Sequence, residues 1–350
     1  MANIVILGAG VMGTAFSFPL ADAGQNVYLV GTHLDREWIA GIRATGVHPK
    51  LKAKLPENAR PFTHDQLGNV LTENTDLLVL GVSSPGVDWA IRQLGEHLKQ
   101  AVPILMLTKG LAAREKTLHI LPAIVQEGLA AYGIKNVPVG AVGGPCIAGE
   151  LAARRDSSVV LAFSEQKVLD WLLPLVAVPY YHVRPSTDLI GVEVCAALKN
   201  FYALAVGYAN GLLEKQGNAE NGALMHNLAA GLFTQAVAEI GYMVKFLGGT
   251  LANVHGLPGV GDLYVTCLAG RNSRMGRLLG LGLSYQEAKT KHMADDTVEG
   301  ADLALAIGPT IELLIEQGQL EPACLPLAQV IIETICQNKL MQIPWTHFSV

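Results

Sequence analysis

Charge is scarce in this chain. Only 16% of its 350 residues are Asp, Glu, Lys or Arg, and acids outnumber bases to leave a net charge of −5. Without a basic excess, nucleic acid is not expected as the main partner, although local cationic clusters can still hold small anions. Cysteine is sparse too. Cys146, Cys195, Cys267, Cys324 and Cys336 are odd in number, scattered and never spaced Cys-x-x-Cys. That pattern excludes a disulfide framework or a zinc site and fits reduced thiols in a cytoplasmic protein, so no metal is expected. Long uncharged runs are also wanting: Phe201 to Leu213 is too short to span a bilayer and carries Asn210, so no membrane insertion is expected. An apolar run begins by Asn3, which leaves no room for a secretory leader. What the chain has in quantity is apolar side chains, half of all residues. At this length that predicts two domains, each with a sizeable core.

The first half alternates short apolar runs with glycine turns and amphipathic stretches. Asn3 to Leu7 runs straight into Gly8-Ala9-Gly10-Val11-Met12-Gly13, a helical stretch follows to Ala23, Gly24 stops it, and Asn26 to Val30 is apolar again. Strand, glycine turn, helix and strand is the context that gives a G-x-G-x-x-G match meaning. Gly8 permits the tight turn, Gly10 lets backbone approach a pyrophosphate at the helix N-terminus, and Gly13 lets the helix pack close to the strand. Further strands are predicted over 76–82, 104–107, 137–142, 157–163 and 181–183. The expected architecture is an α/β Rossmann domain over residues 1–187, with a mostly parallel, doubly wound sheet, followed by an all-α domain over 188–350.

The cofactor is NAD or NADP. An NAD site usually has an acid at the end of the second strand to accept from the ribose hydroxyls. Here that place reads Val30-Gly31-Thr32-His33, and Asp35 comes late. Without an anion there a 2′-phosphate is not repelled, and Thr32, His33 or Arg36 can bind it, which favours NADP or dual use. Ser83-Ser84-Pro85-Gly86 closes the 76–82 strand as a loop fit to lie against a nicotinamide ribose. Lys109 follows the 104–107 strand, at the carboxyl end where open α/β sheets bind ligands.

In the second half, Gly191 to Leu213 reads as one buried helix whose many small residues permit close helix–helix approach. Lys199 lies on it among apolar neighbours. A buried lysine needs an acid, a carbonyl or a ligand. Farther on, Asp262 and Thr266 share one helical face at a spacing of four, and Arg271-Asn272 follow Gly270, where the chain is expected to leave that helix and curl over a ligand. An acid, a hydroxyl, a guanidinium and an amide in one short segment can bind an alcohol or ketone at one end and a phosphate at the other.

These segments, together with Thr108-Lys109-Gly110, Gly144-Pro145, Ala197-Leu198-Lys199-Asn200, Gly256-Leu257-Pro258-Gly259-Val260-Gly261-Asp262-Leu263 and Val298-Glu299-Gly300, resemble the NAD(P)-dependent glycerol-3-phosphate dehydrogenase family in order and spacing. The resemblance runs over roughly residues 3 to 335. It implies reversible reduction of dihydroxyacetone phosphate, a small phosphorylated substrate, to sn-glycerol 3-phosphate for phospholipid synthesis. It implies Lys199 as general acid/base, Lys109 polarising the carbonyl, and Asp262 with Thr266 orienting the lysine and substrate. Asn200, Arg271 and Asn272 would bind the substrate, the last two at its phosphate, and Glu299 and Arg271 would lie near the cofactor.

The chain departs from the family pattern at Cys146, where a serine is usual, and at Ala229 and Gln235, where basic residues are usual. Those departures keep open a related two-domain reductase, of the ketopantoate-reductase or β-hydroxyacid dehydrogenase kind, acting on another ketone. A dinucleotide-binding module without catalysis is the other alternative. Apolar helical surfaces in the second half are compatible with a homodimer.

Overall fold

A computed structural model describes residues 1–217 and 222–348. Among the described residues ten strands are formed: β1 (Asn3–Leu7), β2 (Asn26–Val30), β3 (Ala59–Phe62), β4 (Leu77–Leu80), β5 (Ile104–Met106), β6 (Leu111–Arg114), β7 (Thr117–Ile120), β8 (Val139–Gly143), β9 (Ser157–Ala162) and β10 (Tyr181–Ser186). Eight of them make one sheet in the order β10-β9-β8-β5-β4-β1-β2-β3. Every neighbouring pair is parallel except β8 and β9. Strands such as β4, Leu-Leu-Val-Leu, are buried at every residue, because a parallel sheet is covered by helices on both faces.

The turn after β1 is shaped by close backbone approach. Gly8 has φ +115°, and a Cβ there would lie 2.7 Å from the Gly81 backbone. A Cβ on Gly13 would lie 2.1 Å from the Gly8 carbonyl oxygen. Helix Val11–Asp22 therefore starts hard against the strand it leaves.

The chain divides into two compact units, one of residues 1–109 and 121–189, the other of 110–120 and 190–350. The expected uninterrupted run of 1–187 is thus broken by the β6–β7 hairpin. Its Leu111 and Leu118 belong to the hydrophobic core of the helical unit, so burial of those two side chains decides the allegiance of the segment.

The helical unit is built on helix Leu189–Lys215. This helix is long and apolar enough to cross a bilayer, but 94% of its apolar window is buried inside the protein. Helix Arg271–Gly280 lies on it in backbone contact. A Cβ on Gly211, Gly276 or Gly280 would lie 1.9–2.2 Å from a carbonyl oxygen of the opposing helix, so only glycine permits this approach. Helices His226–Phe246, Glu299–Glu316 and Pro326–Cys336 complete the core. The segment that leads to Asp262 forms a short helix Leu251–Val254, a wide turn Leu257–Gly261 and then helix Asp262–Leu268. Pro258 and the glycines around it account for the break.

Candidate active site

Lys199 is 8% exposed and Asp262 only 1%. The lysine ammonium donates to Asp262 Oδ1 across 63 residues of sequence. Burying either charge alone is costly, so each holds the other in place. Asp262 opens helix Asp262–Leu268, where the helix dipole favours its negative charge.

One residue farther along helix Leu189–Lys215, Asn200 begins a hydrogen-bonded chain. Asn200 Nδ2 donates to Glu299 Oε2 at 2.9 Å, and Asn272 Nδ2 donates to Asn200 Oδ1 at 2.9 Å. Asn272 Oδ1 in turn accepts from the Gly300 amide at 2.9 Å. Arg271 Nη2 reaches Glu299 Oε1 at 3.5 Å, and both of these side chains are about half exposed. Arg271 and Asn272 do not curl away from a helix end. They form the first turn of helix Arg271–Gly280, with Gly270 (φ +119°) making the corner before it. Asn272 is buried and spends its carboxamide on Asn200 and Gly300, whereas the Arg271 guanidinium faces outward and can meet an anion.

Thr266 shares the face of Asp262, but its hydroxyl donates back to the Asp262 carbonyl at 2.6 Å. Cys267, which no motif marks, is part of the lysine's surroundings. Burial pushes its thiol up to about 12, while the Lys199 charge pulls the other way.

In the sheet unit, the Gly8–Gly13 loop meets the test for a pyrophosphate cradle. A Cβ on Gly10 would find no atom nearer than 4.0 Å, so the backbone there is open to close approach, and the amides that begin a helix are not used within it. Ala9 is fully buried, and Val11 and Met12 are half-buried. Asp35 does not reach outward from the end of β2. Its Oδ2 accepts from the Ala9 amide at 3.1 Å, the Thr32 amide at 2.8 Å and the Thr32 hydroxyl at 2.9 Å. His33 is exposed, with its ring 5.3 Å from Trp89 and 6.5 Å from His64. Ser83 is exposed on the loop after β4, and Ser84 Oγ donates to the Lys109 carbonyl at 2.9 Å, tying that loop to the end of β5. Lys109 closes this stretch of the sheet unit, while Lys199 stands in the helical unit.

Each of the two units matches part of one known family. The description NAD-dependent glycerol-3-phosphate dehydrogenase N-terminus fits residues 3–169, and the corresponding C-terminus fits residues 188–343. The chain belongs to that family. It is 35% identical over 285 residues to the NADP(+)-dependent glycerol-3-phosphate dehydrogenase of Archaeoglobus fulgidus, covering 81% of this chain and 82% of the relative. It is 32% identical over 297 residues to the glycerol-3-phosphate dehydrogenase [NAD(P)+] of Shouchella clausii, covering 83% and 82%. The crystal structure of glycerol-3-phosphate dehydrogenase from Coxiella burnetii is similar with a TM-score of 0.80 at 28% identity, covering 98% of this chain and 96% of the other. These likenesses favour neither a different reductase nor a non-catalytic module.

The family departure at Gln235 lies in the helical core, where the side chain is 1% exposed. Gln235 Nε2 donates to Glu239 Oε1 at 2.8 Å. Glu239 also accepts from Tyr202 and from the Leu327 and Ala328 amides that open helix Pro326–Cys336. These four donors favour the carboxylate, but burial outweighs them and pushes Glu239 up to about 7.

Proposed function

We propose that this chain interconverts dihydroxyacetone phosphate and sn-glycerol 3-phosphate with NAD(P)H, using Lys199 as the proton-transfer group. The observation that carries the reading is the buried Lys199–Asp262 pair, set in the helical half of a glycerol-3-phosphate dehydrogenase family member. The nicotinamide supplies the hydride when bound. Lys199 Nζ delivers a proton to the substrate's C2 oxygen during reduction and recovers it during oxidation. Asp262 fixes the ammonium in direction, and a second cation, Lys109, helps stabilise the developing alkoxide.

Arg271 grips the substrate phosphate with paired hydrogen bonds, which also fixes the carbon presented for reaction. Asn272 acts behind it, holding Asn200 and the start of the helix that carries Glu299. The loop Gly8-Ala9-Gly10-Val11-Met12-Gly13 holds the pyrophosphate, with Thr32, His33, Ser83, Arg271 and Glu299 as further cofactor contacts. NADPH is accepted at least as well as NADH. Asp35, the acid nearest the end of β2, is turned toward Ala9 and Thr32, so it does not repel a 2′-phosphate. Five scattered cysteines with no Cys-x-x-Cys spacing and a buried long helix support a cytoplasmic enzyme without membrane insertion.

The test is the initial rate of cofactor oxidation with dihydroxyacetone phosphate, run in parallel with NADH and NADPH. Turnover with NADPH equal to or above that with NADH is expected. Binding of a cofactor without turnover would overturn the substrate assignment.

A further inference from the structure

The Gly8–Gly13 loop is held by side chains that lie outside its motif. Ala9 is gripped on both of its peptide groups. Its N–H donates to Asp35. Its carbonyl oxygen accepts from Thr14 Oγ1 at 3.2 Å and faces His48 Nε2 at 3.0 Å. His48 comes from the segment after helix Arg36–Thr45 and is completely buried.

The ring's protonation state follows from its partners. The Leu51 amide lies 2.9 Å from His48 Nδ1, and an amide N–H can only donate. Nδ1 is therefore the unprotonated nitrogen, so the ring proton is on Nε2 and is donated to the Ala9 carbonyl. The ring has little freedom to leave. The His48 amide donates to the Ala53 carbonyl and the His48 carbonyl accepts from the Lys52 amide, while the Trp38 ring meets it edge-on at 5.3 Å.

A trans peptide points its C=O and N–H in opposite directions. By holding the Ala9 carbonyl inward, His48 turns the Gly10 N–H outward, on the residue where a Cβ would find no atom nearer than 4.0 Å. We infer that His48 is a positioning residue for the dinucleotide: it sets the Ala9–Gly10 peptide so that the Gly10 amide is presented to the pyrophosphate. This rests on the reading of Gly8–Gly13 as the dinucleotide loop.

The test is direct titration of NADPH against the wild-type chain and variants, followed by the fluorescence of the reduced nicotinamide, with melting temperature and steady-state kinetics beside it. His48→Leu removes the donor and should weaken NADPH binding roughly tenfold, the size of one lost hydrogen bond. kcat at saturating NADPH and the KM for dihydroxyacetone phosphate should stay within about twofold. His48→Gln, whose amide nitrogen reaches the position of Nε2, should recover most of the affinity. His48→Asn reaches only the position of Nδ1 and should not, so this pair keeps the test decisive if the leucine variant does not fold. Unchanged affinity in His48→Leu or His48→Asn would overturn the inference. So would equal losses in the Gln and Asn variants accompanied by lower melting temperature and lower kcat, which would mean packing alone. A wild-type chain that binds neither NADPH nor NADH would instead bring down the dinucleotide reading itself.

Discussion

The two units build their sites from different materials. In the sheet unit the surface proposed to face the ligand is backbone: the Gly8–Gly13 turn, shaped by glycines and braced from behind by Asp35, His48 and Thr14. In the helical unit it is side chains: Lys199, Asp262, Asn200, Glu299 and Arg271, in hydrogen-bonded pairs that span 28 to 99 residues of sequence. A backbone site tolerates changes of side chain but no added atom where chains touch. A side-chain site fails group by group, each loss removing one function.

The largest effect should come from the side-chain site. Lys199→Ala is expected to lower kcat by roughly 10²–10⁴ while leaving NADPH affinity near wild-type. Near-normal turnover in that variant would remove Lys199 from the mechanism. In the backbone site, Gly13→Ala forces a Cβ to within 2.1 Å of the Gly8 carbonyl. Overpacking of this kind costs about 1–3 kcal/mol, so NADPH affinity should fall roughly tenfold to a hundredfold; wild-type affinity would mean that the turn can open at no cost.

A pH series separates the units by stability. Glu239 lies only in the helical core, with a folded-state pKa of about 7 against an ordinary 4.5. The folded chain thus holds that proton more tightly than the unfolded chain. The stabilisation is complete below pH 4.5 and is lost as pH rises through about 7. The loss should amount to at most ~3 kcal/mol, read from denaturant unfolding at fixed salt. Gln235→Arg, which supplies a cation beside Glu239, should flatten that slope; an unchanged slope would assign it to other groups. The smallest effect belongs to an exposed group. Arg271→Ala should raise the KM for dihydroxyacetone phosphate by about tenfold, the worth of a hydrogen bond to a charged partner. An unchanged KM would count against the phosphate role.

The same contrast governs what could be read from the sequence. The glycine turn and its flanking strands are local, so period and spacing reveal them, and the Leu189–Lys215 helix declares itself by composition. β3 carries Arg60 and Pro61 in only four residues and gives no apolar run. The β6–β7 hairpin turns through Glu115 and Lys116 with φ of 50° and 64°, a left-handed turn without the usual Asn-Gly signal. Helix Tyr285–His292 buries Ala288 alone and so shows no apolar stripe, and its local signature is the capping box that Ser284 and Glu287 form at its start. The Lys199–Asp262 pair and the inward turn of Asp35 depend on tertiary contacts. No spacing rule encodes those: apolar surroundings marked Lys199 and a spacing of four marked Asp262 with Thr266, but only the family resemblance put the lysine and the aspartate together.

The hairpin at 110–120 has a consequence for exchanging parts between relatives. The chain passes from one unit to the other after residues 109, 120 and 189, so a chimera joined once near residue 188 would graft a foreign Leu111 and Leu118 into the helical core. A fragment starting there would lack them altogether. Recombination between distant members should therefore succeed when the donor of the C-terminal half also contributes the hairpin, and the inheritance of these eleven residues should follow the half they pack against and not the half that encodes them.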